Sequence, residues 1–511
     1  MYVLAFPYHP GLRSPNELCR LLQTRAVVEF GDVDLNRAMH VYGPVGDLAV
    51  YRGRYYPSKA PLMSFAAVPV YAGLRVILGR TPRAVSELTL VYFSRLFLTV
   101  VPTLLLLLWV RRFLLAYVSP ASTDAMTLTY ALGTLAFSYS ELFMSHQPSA
   151  TLLFASFYGL WRWARGEWPE ARLLLCGALA SAAVVAEYTT ALGVLGLALY
   201  GILALRRQQR SLPASVRAGT LFVGGAVPLT LLLMWYHTRA FGGPLESGYR
   251  HLADVAYQPW HEGGFLGVGL PRARPFLLSF FSPLRGMFTL SPALLLSVPG
   301  MALLFRRSRS EADLRCVAWT TLAIALGYAY FTSSFSYESW GWSTGPRHLT
   351  ALVPFLLLPC ALTLDRMRTA LLRGSCGVLL AASIVTTSAL TFVNYIPDNV
   401  SDALLALAIP LSDAGDLTPS VMCALGLLNP TAGVVLWVGV GAVVAWLLWV
   451  LRPQATLTAW LAALTTAAAV AGFHLLAYQD TDADRAALTL LERVWLTPAG
   501  RSLPLLGHDA R

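Results

Sequence analysis

Long apolar runs recur from one end of this chain to the other, and they dictate the solvent in which it folds. "LFLTVVPTLLLLLWV", "LLLCGALASAAVVAEYTTALGVLGLALYGILAL" and "AGVVLWVGVGAVVAWLLWV" carry almost no charge. Apolar runs of about 18 or more residues are long enough to cross a bilayer. In hydrocarbon every backbone N–H and C=O must find a partner within its own segment, which makes each run a helix. The alternating pattern of a membrane barrel strand is absent. Only 13% of the 511 residues are charged, about half of what a soluble domain carries. The chain therefore reads as an all-α polytopic membrane protein.

The net charge of +11 does not imply a nucleic-acid partner. The basic residues sit in short clusters between apolar runs, as loops on the cytoplasmic side do. Arg111–Arg112, Arg162 to Arg172, Arg206–Arg210, Arg306–Arg315, Arg366–Arg373 and Arg452 form one consistent set. The opposite turns then fall near His146, Glu187, 237–275, 336–348, 394–430 and beyond 478. On this count 62–79 is not a simple crossing, and it is expected to be interfacial or re-entrant. The six cysteines mostly fall inside apolar runs and read as small core residues.

The polar stretches divide the chain. Residues 1–60 form an outer first loop, 61–477 the helical membrane domain, and 478–511 a polar tail. "MYVLAFPYHP" reads as the last turn of a helix, which predicts a first span encoded upstream of Met1. Residues 15–30 have helical spacing of Leu18, Leu21, Leu22, Val27 and Val28, ending at Gly31. They are expected to form an amphipathic helix on the membrane surface.

Of 38 basic residues, Lys59 is the one lysine. Lysine is a compact point charge on a flexible stem, whereas arginine is a planar fork. Pro57 and Pro61 stiffen the backbone around it. A rigidly presented cation at the bilayer surface suits a phosphate; a snorkelling lysine is the simpler alternative. Five more polar groups accompany it. Asn16–Glu17 opens the first helix, either as a capping pair or with Glu17 as a general base. Glu141 and His146 lie in "SELFMSHQPSA", between apolar runs. Glu187–Tyr188 interrupts a 33-residue apolar stretch. "FGGPLESGY", which ends at Tyr249, is followed by "SPLRGMFTLSP" with Arg285. "SYESWGWSTGPRHL" holds Arg347 beside Trp340 and Trp342, whose indoles fit an interfacial belt. Ionisable groups at membrane depth point to function, although a solvated turn or a helix end would account for each one singly. P-loop, dinucleotide-binding, zinc-protease and nucleophile-elbow motifs are absent.

In order and spacing, "NELCRLLQTRAVVEFGDVD…RGRYYPSKAPL" resembles the first outer loop of lipid-linked sugar transferases of the GT-C fold. Among them are the aminoarabinose transferases acting on lipid A and the protein O-mannosyltransferases. Their loop runs as "DExRYAxxxxxMxxSGDW…G…YFEKPPL", often followed by an Arg-Leu pair, as Arg95–Leu96 is here. "SHQPSA", "EYT", "FGGPLESGY", "SPLRGMF" and "GWSTGPRHL" are similar to a bacterial branch of glycosyltransferase-like membrane proteins. The resemblance covers about residues 14–430. It implies a GT-C-like helical bundle in a bacterial inner membrane, with its active face extracytoplasmic. Its partners would be membrane lipids, a polyprenyl-phosphate-linked sugar donor and an unknown acceptor, with no nucleotide, no cofactor and no obligatory metal.

On this resemblance Glu17 is the catalytic base. Lys59, Arg95 and Arg347 hold the donor phosphate, and Asn16, Arg20, Glu141, His146, Glu187, Tyr249 and Arg285 complete the substrate site. Two positions depart from the pattern. Asn16 stands where the family has Asp, and Asn cannot take a proton. Cys19 stands where it has Arg, with Arg20 one place later. Either Glu17 does the work, or the acid is Glu141 or Glu187, or catalysis has been lost. A non-catalytic scaffold of the same fold and a transporter or flippase of lipid-linked glycans are the alternatives. The latter calls for inverted repeats, and no repeat is visible.

Overall fold

The computed structural model describes residues 1–7, 14–81, 83–337, 341–367, 369–451 and 456–492. The regular structure of the described chain is helical apart from one two-stranded hairpin. Among the described residues seven helices are long and apolar enough to cross a membrane: Glu87–Leu115, Tyr188–Arg207, Leu212–Phe241, Ala312–Ser334, Ala370–Val393, Asn429–Leu451 and Leu457–Ala477. The protein is thus a multi-pass membrane protein. Ala370–Val393 lies inside the bundle, with 72% of its most apolar stretch buried. Leu212–Phe241 and Leu457–Ala477 have only 6% and 11% buried. Their exposed leucines and tryptophans, such as Leu231, Trp235, Trp460 and Leu476, are the surface that lipid solvates.

Small residues set the closest helix contacts. At Gly177 a Cβ would fall 1.8 Å from the Phe222 carbonyl oxygen, and at Gly225 the same distance from that of Leu174. The Leu173–Ala186 and Leu212–Phe241 helices therefore touch backbone to backbone, as membrane helices do where dispersion replaces the hydrophobic drive. All six cysteines are buried and unpaired, as expected of core residues.

The arginine clusters meet at one end of the bundle. Arg165 and Arg207 both pair with Asp313, Arg210 and Arg217 with Glu170, and Arg307 donates to the Tyr117 carbonyl. Ser119 caps its helix, and its backbone N–H and the Ser122 hydroxyl both donate to Asp365. Loops that the charge pattern assigns to one side are therefore physical neighbours. Arg452 and Trp340 lie outside the described residues.

At the other end the described residues among the first 60 are woven into the bundle. A helix forms at Pro15–Arg25 and continues as a π-turn over Ala26–Phe30, stopped by Gly31 with φ +70. The polar face of this helix is covered by protein, with Asn16, Glu17, Arg20, Gln23, Thr24 and Arg25 all buried. Gln23 donates to the Tyr236 hydroxyl, Thr24 to the Ser64 carbonyl and Arg25 to that of Val85. Leu21 of the same helix packs with Met63, Ala67 and Tyr71. A polar stripe alone cannot tell water from a set of buried partners.

Residues 62–78 form an apolar helix shorter than the seven spans. The Glu87–Leu115 span follows it in the chain. Before it comes the hairpin Leu48–Tyr51 with Arg54–Pro57. Its two-residue turn places Arg52 and Gly53 at φ +49 and +73, the twist that matches paired strands. The hairpin delivers Lys59 to the mouth of the bundle. Beyond the last span, Asp482–Leu490 is fastened by Asp484, which accepts from the Ser401 backbone and hydroxyl.

Candidate functional site

The sequence-predicted polar residues gather at this end in two groups. The first is closed. Arg95 faces Glu17 in a two-pronged pair, Nε to Oε1 at 3.0 Å and Nη2 to Oε2 at 2.9 Å, with both side chains buried. Glu17 also accepts from the Phe143 backbone and the Tyr395 hydroxyl. Arg95 spends its remaining nitrogen on the Pro7 carbonyl. A carboxylate so fully hydrogen-bonded has no lone pair directed at an acceptor. Glu141 lies close enough to feel the Arg95 charge, yet among the described residues neither of its oxygens has a hydrogen-bond partner. Burial pushes its carboxyl well above the usual range, against the pull of the Arg95 charge.

The second group is open. It is built on Lys59, Arg20, Arg347, Tyr249, His146 and Glu187, with three residues that motif reading did not single out: Asp47, Ser145 and His348. Lys59 Nζ sits 3.5 Å from Asp47 Oδ1 and 5.6 Å from the Tyr249 ring centre. Burial opposes its charge, but Asp47 and Tyr249 outweigh that, so its pKa lies above the ordinary lysine value. Two local features create this contact. Ser58 N–H bonds to the Asp47 carbonyl, closing the base of the hairpin. Gly248 has no Cβ, which would meet the Ser58 backbone at 2.8 Å; this allows the 248–253 segment to lie against the hairpin and carry Tyr249 to Lys59. That ring stacks in turn on His261, 4.8 Å between centres.

Arg20 lies one helical turn beyond Glu17 on the same helix face. Its Nη2 reaches the Ser145 hydroxyl at 3.3 Å, while Nε and Nη1 have no partner among the described residues although the side chain is buried. Arg347 Nε is also without a partner there. The Ser145 hydroxyl in turn donates a hydrogen bond to Glu187 Oε2 at 2.9 Å. Glu187 is delivered by a break. The helix Leu173–Ala186 ends, Glu187 is extended at φ −152 and ψ 112, and Tyr188 restarts the chain as a 3-10 turn. Burial pushes the Glu187 carboxyl up, against the Ser145 hydroxyl and the Arg20, Arg347 and Lys59 charges that pull it down. His146 Nδ1 lies 3.3 Å from Oε2 and His348 Nδ1 3.9 Å from Oε1. Burial, then Arg347, hold His348 well below the usual histidine pKa, hence neutral.

Two predicted residues lie at the edge. Arg285 donates from Nη2 to the Asp398 carbonyl at 3.2 Å, with Nη1 unpartnered among the described residues. It is close enough to Arg347 for the two charges to repel. Asn16 is buried beside Glu17, its Oδ1 unsatisfied there. His348 was legible in principle, being the neighbour of Arg347. Asp47 and Ser145 carried no signal beyond ordinary loop chemistry.

No family model matches the chain, and no curated protein matches it either. Among solved structures it is similar to the crystal structure of ArnT from Cupriavidus metallidurans bound to undecaprenyl phosphate. The identity is 14% and the TM-score 0.46, over 96% of this chain and 75% of that one.

Proposed function

We propose that this protein is a glycosyltransferase that takes a sugar from a polyprenyl-phosphate donor and passes it to an extracytoplasmic acceptor. The observation that carries the reading is Arg20, a buried guanidinium with two nitrogens unpartnered among the described residues, whose charge acts on the same Glu187 carboxylate as those of Lys59 and Arg347. Buried donors left unmade cost about 1–3 kcal/mol each, so such a group is a site prepared for an anion. Three cations against the carboxylates of Glu187 and Asp47 leave one positive charge over, which a phosphodiester matches. A lipid-borne phosphate reaches this end from the bilayer, and the resemblance of the "RGRYYPSKAPL" segment to GT-C transferases points to the same donor.

In the reaction the acceptor oxygen bonds to the anomeric carbon, and the C1–O bond to phosphate breaks. Its electron pair leaves with the polyprenyl phosphate, where Lys59, Arg20 and Arg347 meet the developing charge. The acceptor proton goes to the carboxylate side of the pocket. Glu17 is saturated by Arg95, Tyr395 and the Phe143 amide, and its role is to fix the helix that presents Arg20. Glu187 is the carboxylate that faces the cations. Its raised pKa suits a proton acceptor, and it stands in the place that Asn16 cannot fill.

The test is a panel of radiolabelled polyprenyl-phosphate sugars, incubated with the purified protein and cell extract. Wild type is expected to transfer label from one donor, and Glu187→Gln to bind that donor without transfer. A second reading, favoured by Asn16, is a non-catalytic protein that binds lipid phosphates. Binding without transfer by wild type across the whole panel would establish it instead.

A further inference from the structure

We propose that His146, Glu187 and His348 hold a divalent cation of the zinc class. Three observations converge. The two imidazole Nδ1 atoms lie 3.3 and 3.9 Å from the two oxygens of one carboxylate, and the three donor atoms fall within 4.8 Å of one another. Zinc takes nitrogen at about 2.0–2.1 Å and carboxylate oxygen at about 2.0–2.2 Å, so neighbouring ligands of a tetrahedral ion are roughly 3.4 Å apart. A small side-chain rotation brings His348 to that spacing.

The second observation concerns direction. His146 Nδ1 is buried and near Glu187, yet it makes no hydrogen bond among the described residues. An ordinary imidazole–carboxylate pair would align its N–H with the oxygen. This ring misses that alignment, as a ring does when its nitrogen and the oxygen share a third centre. The third observation is support behind the ligands. Ser145 holds Glu187 Oε2. Thr190 donates to the Glu187 backbone carbonyl at 2.7 Å, and the edge of the Tyr139 ring packs on His146, 5.1 Å between centres. Such outer contacts fix ligand direction.

The chemistry of the set follows. Two imidazoles and one carboxylate are a borderline donor set that favours zinc over magnesium or calcium, which prefer all-oxygen surroundings. Three protein ligands leave a fourth position for an outside oxygen. Arg20, Lys59 and Arg347 oppose a divalent ion, so it is held less tightly than by the same three ligands alone. The cation gives Glu187 a second way to act on an acceptor hydroxyl, through a bound ion instead of directly. Ion binding itself does not depend on the transferase reading.

The full-length protein in detergent is stripped with a chelator, dialysed against Zn²⁺ alone and analysed for bound metal. About one equivalent is expected, lost in His146→Ala and His348→Ala and kept in His40→Ala, an exposed histidine outside the cluster. The wild type loaded with Co²⁺ gives a readout independent of those variants folding. Intense visible bands of low coordination number are expected, and Glu187→Gln should abolish them. Metal retained by the His146→Ala, His348→Ala double variant, or a wild-type cobalt spectrum no different from the aqueous ion, overturns the proposal. Neither measurement involves sugar transfer, so a failed transfer assay leaves it standing.

Discussion

One helix feeds two charged groups of opposite character. Glu17 and Arg20 stand three residues apart on Pro15–Arg25, and both are buried. Glu17 enters a lock in which each oxygen is engaged by Arg95, Tyr395 or the Phe143 amide. Arg20 enters a pocket in which one nitrogen touches Ser145 and the others touch nothing among the described residues. Both are ionisable and buried; what sets their roles apart is saturation. A saturated buried ion holds the fold together, and an unsaturated one waits for a ligand. Candidate roles read from residue type are therefore sorted by counting partners.

The largest effect belongs to the open group. Arg20→Ala or Lys59→Ala should weaken binding of a short-chain polyprenyl phosphate, and transfer from it, by roughly 10²–10³-fold, the scale of one preorganised donor removed from a developing anion. Titration of nanodisc-embedded protein measures this. Unchanged affinity in both variants breaks the distinction between the groups.

The lock should respond in stability instead. Removing one partner of a buried ion pair costs about 3–5 kcal/mol, so Glu17→Gln should lower the thermal midpoint sharply in detergent. The fraction that stays folded should keep its phosphate affinity. A paired change, Glu17→Gln with Arg95→Met, should recover part of the loss, because no charge is then stranded. If Glu17→Gln leaves the midpoint untouched and stops transfer, the roles are reversed.

A smaller effect appears in pH dependence. The Glu187 carboxyl is raised above its ordinary 4.5 by burial. Its contribution to stability is therefore present below the unfolded value and lost as pH rises through the folded one. In chelator-treated protein, the wild-type midpoint should fall relative to Glu187→Gln as pH increases from about 4.5 through that raised value. Parallel curves for the two proteins would remove Glu187 from the titrating set. The smallest effect is expected at Glu141. Neither of its oxygens has a hydrogen-bond partner among the described residues, so Glu141→Gln, which breaks no bond there, should change stability by under about 1 kcal/mol.

Sequence reading found the ingredients of the site better than their arrangement. Lys59 stood out because it is the one lysine, and Arg347 and Glu187 because charge is costly in an apolar chain. All three fall in the open group. Glu17 and Arg95 were equally conspicuous, yet nothing in their neighbourhood along the chain says that they face each other across 78 positions. The Pro15–Arg25 helix was legible as a helix, but the burial of its polar face was not. Its partners Tyr236, Ser64 and Val85 come from distant segments. Ser145 and Asp47 are ordinary residues until the fold sets them between charges.

The sequence alone determined that the chain is a bundle of membrane helices and which loops share an end. Apolar length and arginine clustering act locally, and each segment carries its own signal. Tertiary structure decided which buried charges are saturated and which remain open. That depends on partners brought together from tens to hundreds of residues away, and in a low-dielectric interior a partner's presence or absence is worth more than the residue's own identity.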